Sequence, residues 1–95
     1  MRVAITQRVE VVSGYGERRD CLDQSWTDLL AETGCDLLPV PNNLPDVKHW
    51  LKKQKVEALL LTGGNDLSYL SDACNSAPER DETEEQLLKW AAEYK

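Results

Sequence analysis

The stretch VEALLLTGGNDL, residues 56–67, limits the fold more than any other part of the chain. Its apolar run does not alternate with polar residues, and it stops at a glycine pair. A short apolar run of this kind is a strand buried on both faces, which is the habit of parallel sheets covered by helices. Two more short apolar segments fit the same description: Val3, Ala4 and Ile5, and the DLLPV run at 36–40. Pro39 gives the latter one fewer backbone donor, which makes it an edge strand or confines its hydrogen bonding to its beginning.

Between these runs the apolar period changes to that of a helix. Leu22, Trp26, Leu29 and Leu30 fall at i, i+4, i+7 and i+8, one stripe of a 3.6-residue repeat. Gly34 follows, where a helix C′ glycine belongs. Val47, Trp50 and Leu51 mark a second helix, with Asn43 as the expected N-cap, Pro45 in the first turn and a lysine-rich end near Gln54. Leu87, Leu88, Trp90, Ala91, Ala92 and Tyr94 mark a third, opened by Pro78 and a capping box from Ser76 to Glu79. Residues 8–18 read as a loop, residues 67–70 as a brief helical turn and residues 71–77 as loop. The order β-α-β-α-β-α predicts an α/β domain with a parallel sheet and right-handed crossovers. Because the last helix has no strand after it, residues 1–95 read as the first half of a larger α/β domain.

Bulk properties narrow the function. A net charge of −6 repels phosphate backbones, so nucleic-acid binding is disfavoured. No window is long and apolar enough for a transmembrane helix, and the first ten residues, MRVAITQRVE, lack a signal peptide's apolar core. The expected setting is cytoplasmic, with no membrane partner. Cys21, Cys35 and Cys74 are widely spaced, form no CxxC pair and read as reduced thiols. No P-loop, G-x-G-x-x-G or H-E-x-x-H is present, and neither a metal nor a cofactor is expected. His49 has no second ligand or nucleophile nearby in sequence, and the surrounding lysines read as a solvated helix face.

In open α/β sheets ligands bind beyond the carboxyl ends of the strands. That rule selects Thr6-Gln7-Arg8, Pro41-Asn42-Asn43 and residues 62–66. At the last of these, Gly63 and Gly64 either make a plain tight turn or present backbone N–H groups to an anion or oxyanion. Arg80 is suited to bidentate anion recognition or to an ion pair with neighbouring acids. Arg8, Arg18 and Arg19 are either a small anion site or a solvated loop.

VEALLLTGGNDL and the later APERDETEEQLLKWA resemble the first half of class I glutamine amidotransferase-like proteins, in the γ-glutamyl hydrolase branch. AITQRVEVVSGYGERRDCLDQSW and LPVPNN look like a narrower group, the γ-glutamyl-CDP-amidate hydrolases of bacterial surface-polysaccharide gene clusters. The resemblance covers residues 1–95. It implies a flavodoxin-like three-layer α/β/α domain, of which this is the N-terminal half. It also implies a cysteine nucleophile that forms a thioester with a small-molecule γ-glutamyl amide. Gly63 and Gly64 match the family's oxyanion-hole loop. Gln7, Arg8, Asn65 and Asp66 match its substrate mouth. Arg80 and Asp81 match its RD pair, with a role in loop organisation or substrate placement. The family's nucleophile elbow, G-x-C-x-G, and the His and Glu that activate it are not in residues 1–95, so this chain alone is expected to be inactive. The alternative is a free-standing, non-catalytic α/β module that binds a ligand or partner. Its exposed sheet edge then predicts a homo-oligomer or a dedicated partner.

Overall fold

A computed structural model describes residues 1–62 and 77–93. Eight elements are present among them: β1 (Arg2–Ile5), β2 (Arg8–Val11), β3 (Arg18–Cys21), α1 (Ser25–Glu32), β4 (Asp36–Pro39), α2 (Val47–Lys53), β5 (Ala58–Leu60) and α3 (Pro78–Glu93). The three expected apolar runs form one parallel sheet in the order β4-β1-β5. In its register Ala4 lies between Leu38 and Leu59, while Ile5 lies between Pro39 and Leu60. The chain steps from β1 to β4 on one side, then crosses back over β1 to β5. With right-handed crossovers, that reversal places α1 and α2 on opposite faces of the sheet.

The core forms on the α2 face. Ala4, Val40 and Val56 pack with Val47 and Leu51 of α2 and Leu87 and Trp90 of α3, and Leu38 and Leu59 close around them. Leu51 and Leu87 are almost wholly buried. The other helix, α1, runs beside β4 and buries none of its residues. It ends as the sequence predicts: Thr33 is the C-cap, and Gly34 follows at φ +74°, a left-handed conformation that costs glycine little.

Three expectations are corrected. Residues 8–18 are not a loop throughout, because Arg8–Val11 and Arg18–Cys21 pair as an antiparallel hairpin. Cys21 is therefore the last residue of a strand rather than part of the approach to a helix, and α1 starts at Ser25, leaving Leu22 outside it. The N-cap of α2 is Asp46, not Asn43: its backbone is extended, and its carboxylate accepts the His49 N–H at 3.0 Å. Asp46 wins because it directly precedes the first helical residue, where its side chain reaches an N–H that the helix leaves unpaired. Pro78 does occupy the first position of α3. The expected turn at 67–70, the loop at 71–76, Ser76 of the capping box and Cys74 lie outside the described residues.

Candidate functional site at the carboxyl edge of the sheet

The strand order reverses at β1, so a crevice is expected where the carboxyl ends of β1 and β5 diverge. Thr6 stands there directly after β1, and Thr62 two residues past the end of β5. Thr6, 1% exposed, uses its Oγ1 to accept the Thr62 N–H at 2.8 Å. Thr62 returns a bond from its own Oγ1 to the Thr6 carbonyl at 3.0 Å. Two threonines thus close the sheet ladder through side chains where the backbone pairing stops.

Arg80 fastens α3 to the same point. It is a 3% exposed cation that donates from Nη2 to the Thr62 carbonyl and, at 3.1 Å, to Thr62 Oγ1. The Glu84 carboxylate lies 3.3 Å away, one helical turn on. A guanidinium so deeply buried is kept there by charge compensation and hydrogen bonds together. Asp81 is half-buried beside it. Gly63, Gly64, Asn65 and Asp66 lie outside the described residues.

Gln7 turns inward. Its Nε2 donates to the Val40 carbonyl at 3.0 Å, joining the ends of β1 and β4. Arg8 takes another course. It is exposed at the start of the hairpin and pairs with Glu10 at 2.7 Å. That partner holds the Glu10 carboxyl below the usual range, first through their hydrogen bond and then through charge. The structure therefore gathers Gln7 and Arg80 at the carboxyl edge and leaves Arg8 on the surface.

A residue that the strand-end rule selects by position, without assigning its bonds, joins these parts. Asn42, from the Pro41-Asn42-Asn43 segment, is buried. Its Nδ2 donates to the Gln7 carbonyl at 3.0 Å and to Asp20 Oδ1 at 2.9 Å, and its backbone N–H reaches Asp20 Oδ2 at 3.2 Å. Thr83 Oγ1 reaches the Asn42 carbonyl at 3.4 Å. One amide side chain thereby links β1, the hairpin and the loop after β4, while its backbone carbonyl meets α3. The hairpin has a second attachment: Arg18 makes a two-pronged pair with Glu79, its Nη2 lying 2.8 Å from Oε1. Arg18 is the first cause of a lowered Glu79 pKa. A cavity of about 230 Å³ lies among Val9, Arg18, Asp20, Asn42, Asn43 and Glu79. A larger one of about 350 Å³ runs between residues 42–48 and the first turns of α3, with Asp46, Glu79 and Glu82 on its walls.

Cys21 has no activating base among the described residues. Partial burial, and then Glu10 beside it, push its thiol pKa up, the wrong direction for a nucleophile at neutral pH. Cys35 is half-buried between α1 and β4. Among the described residues there is no group of three metal-binding side chains. No helix among them is long and apolar enough to cross a membrane.

The chain is similar from end to end to a curated protein, the gamma-glutamyl-CDP-amidate hydrolase of Campylobacter jejuni, with 32% identity over 96 aligned positions. All of this chain and 47% of the relative are covered, so the chain spans about half the length of the curated relative it matches. No family model matches the chain, and no solved structure matches it.

Proposed function

We propose that residues 1–95 form the N-terminal part of a cysteine-dependent γ-glutamyl hydrolase, in a flavodoxin-like domain of the class I glutamine amidotransferase-like type. The similarity to a curated gamma-glutamyl-CDP-amidate hydrolase along the whole chain carries the reading. The β4-β1-β5 order supports it, since it matches the first three strands of a doubly wound sheet whose crevice opens at β1. On this reading a cysteine beyond Lys95 attacks the γ-carbonyl carbon of a small γ-glutamyl amide. The C–N bond breaks, the amine leaves with a proton, and water hydrolyses the thioester to glutamate. Gly63 and Gly64 donate backbone N–H groups to the oxyanion, with Asn65 and Asp66 beside them at the substrate mouth.

Of the two roles open to Arg80, loop organisation is favoured. Its burial and its bonds to Thr62 direct the guanidinium at the end of β5, next to Gly63 in sequence. Asp81 shares that role, Gln7 braces the floor of the mouth, and Arg8 serves at its rim.

The test has two steps. First, the reading frame past Lys95 is sequenced, where a G-x-C-x-G is expected within about fifteen residues, given usual αβ connections. Second, glutamate release from a γ-glutamyl amide is measured for the 95-residue chain and for the chain extended through that motif. Release only by the extended protein, lost on Cys→Ser at the motif, is expected. Cysteine-dependent release by the 95-residue chain alone would overturn the proposal, and so would a stop codon at position 96.

A further inference from the structure

The hairpin β2–β3 enters the catalytic reading only through Arg8, its first residue, yet it lies against the site. Its register pairs Arg8 with Cys21, Val9 with Asp20, Glu10 with Arg19 and Val11 with Arg18. Directly paired residues share a face, and successive residues alternate. One face therefore carries Arg8, Glu10, Arg19 and Cys21, and the other carries Val9, Val11, Arg18 and Asp20. The second face meets the rest of the chain. Val9 is 4% exposed, Asp20 takes two bonds from Asn42, and Arg18 grips Glu79.

These attachments are unevenly placed. Val9 and Asp20 form one cross-strand pair near the open end of the hairpin. Arg18 sits two pairs from them toward the turn, and its cross-strand partner Val11 and, in the turn, Tyr15 are exposed. The turn is closed by its own backbone bonds, Val12 N–H to the Glu17 carbonyl at 2.8 Å and Gly16 N–H to the Val12 carbonyl at 2.9 Å, and by the Arg19 guanidinium, which reaches Glu17 and, at 2.9 Å, the Tyr15 hydroxyl. A lone two-stranded hairpin has little stability of its own. Among the described residues, this one is held by the buried Val9, by Asp20 on Asn42 and by Arg18 on Glu79, all of which line the 230 Å³ cavity.

We infer that β2–β3 is a strap over the carboxyl edge of the sheet, hinged where Asp20 meets Asn42 and latched by Arg18 on Glu79, and that its opening admits ligand to the cavity beneath. Arg18 and Glu79 side chains are 47% and 27% exposed. A pair so accessible to water favours closure by about fivefold at most, weak enough to open often. The hinge is firmer, because Asn42 is buried and its two donors converge on one carboxylate. Release of the latch therefore swings the turn while the base stays seated.

NMR relaxation dispersion on the isotope-labelled 95-residue chain tests this. Glu79→Gln should raise the open population about fivefold, with exchange broadening confined to residues 9–20 and 42–43. The charge-swapped pair Arg18→Glu with Glu79→Arg should return the broadening to its starting level, and it remains informative even if the single variant does not fold. Broadening that Glu79→Gln leaves unchanged, that spreads through β1, β4 and β5, or that the charge swap fails to reverse would overturn the inference.

Discussion

Substituting Thr6 by valine would isolate the joint between β1 and β5. Valine keeps the shape of threonine, so the site, 1% exposed, gains neither a void nor a clash. What disappears is the acceptor for the Thr62 N–H, now 2.8 Å from Thr6 Oγ1. Leaving a buried donor unmade costs ~1–3 kcal/mol. Thr62 is only half-buried and water recovers part of that loss, so the lower part of the range, about 1–2 kcal/mol, applies. For a domain of this size each kcal/mol moves Tm by about 4–8 °C, giving an expected fall of roughly 4–16 °C in a calorimetric scan. Amide exchange supplies a local reading: the Thr62 N–H should exchange about tenfold faster, the equivalent of ~1.4 kcal/mol, while amides within α2 follow the global change alone. A Thr6→Val chain as stable as the original, with Thr62 still protected, would refute the view that these side chains close the ladder.

Other perturbations have equally definite outcomes. Asp46→Ala removes the α2 cap and should cost ~1 kcal/mol in a urea titration, whereas Asn43→Ala should cost less than half as much. Glu79 has a lowered pKa because of Arg18, so its contribution to stability is fully present above the ordinary carboxyl value of ~4.3. That contribution should vanish as pH falls through the lowered folded value; Glu79→Gln should flatten this part of the stability profile. The Cys21 thiol, raised by partial burial and by Glu10, should react with iodoacetamide more slowly than a model thiol at pH 8. Glu10→Gln should speed it, as read by mass spectrometry at that residue.

Much of the fold was legible because its signals are periodic. The runs at Val3–Ile5 and Ala58–Leu60 read as buried strands since neither alternates; the first is buried and the second only half-buried, and the helical spacing of Trp26, Leu29 and Leu30 marks α1. The hairpin escaped for the opposite reason. RVEV and RRDC are mostly charged, and only Val9 is buried, so almost none of its pairing is paid for by apolar area. Its trace in the sequence is slight: alternating Val9 and Val11 before Gly14 and Gly16, both of which adopt positive φ. At the carboxyl edge, the strand-end rule selected Thr6, Gln7, Asn42 and Thr62 by position. It could not assign their bonds, because a buried amide linking four segments leaves no periodic mark. Arg80 was recognised as chemically apt, but its burial against Thr62 depends on how α3 returns across the sheet.

The β4-β1-β5 order also has a consequence for biosynthesis. The central strand is the first to be made, and both of its neighbours arrive later: β4 begins at Asp36 and β5 at Ala58. As residues emerge from the ribosome at ~5–20 per second, Val3, Ala4 and Ile5 wait for seconds with no strand on either side. The first partner supplies one edge through α1, a helix that buries nothing. The apolar core closes only when Leu87 and Trp90 bring α3 down on Leu51, near the end of these 95 residues. Until then, the strand that ends up most deeply buried is also the least protected part of the nascent chain, and chaperone contacts should concentrate on its first ten residues.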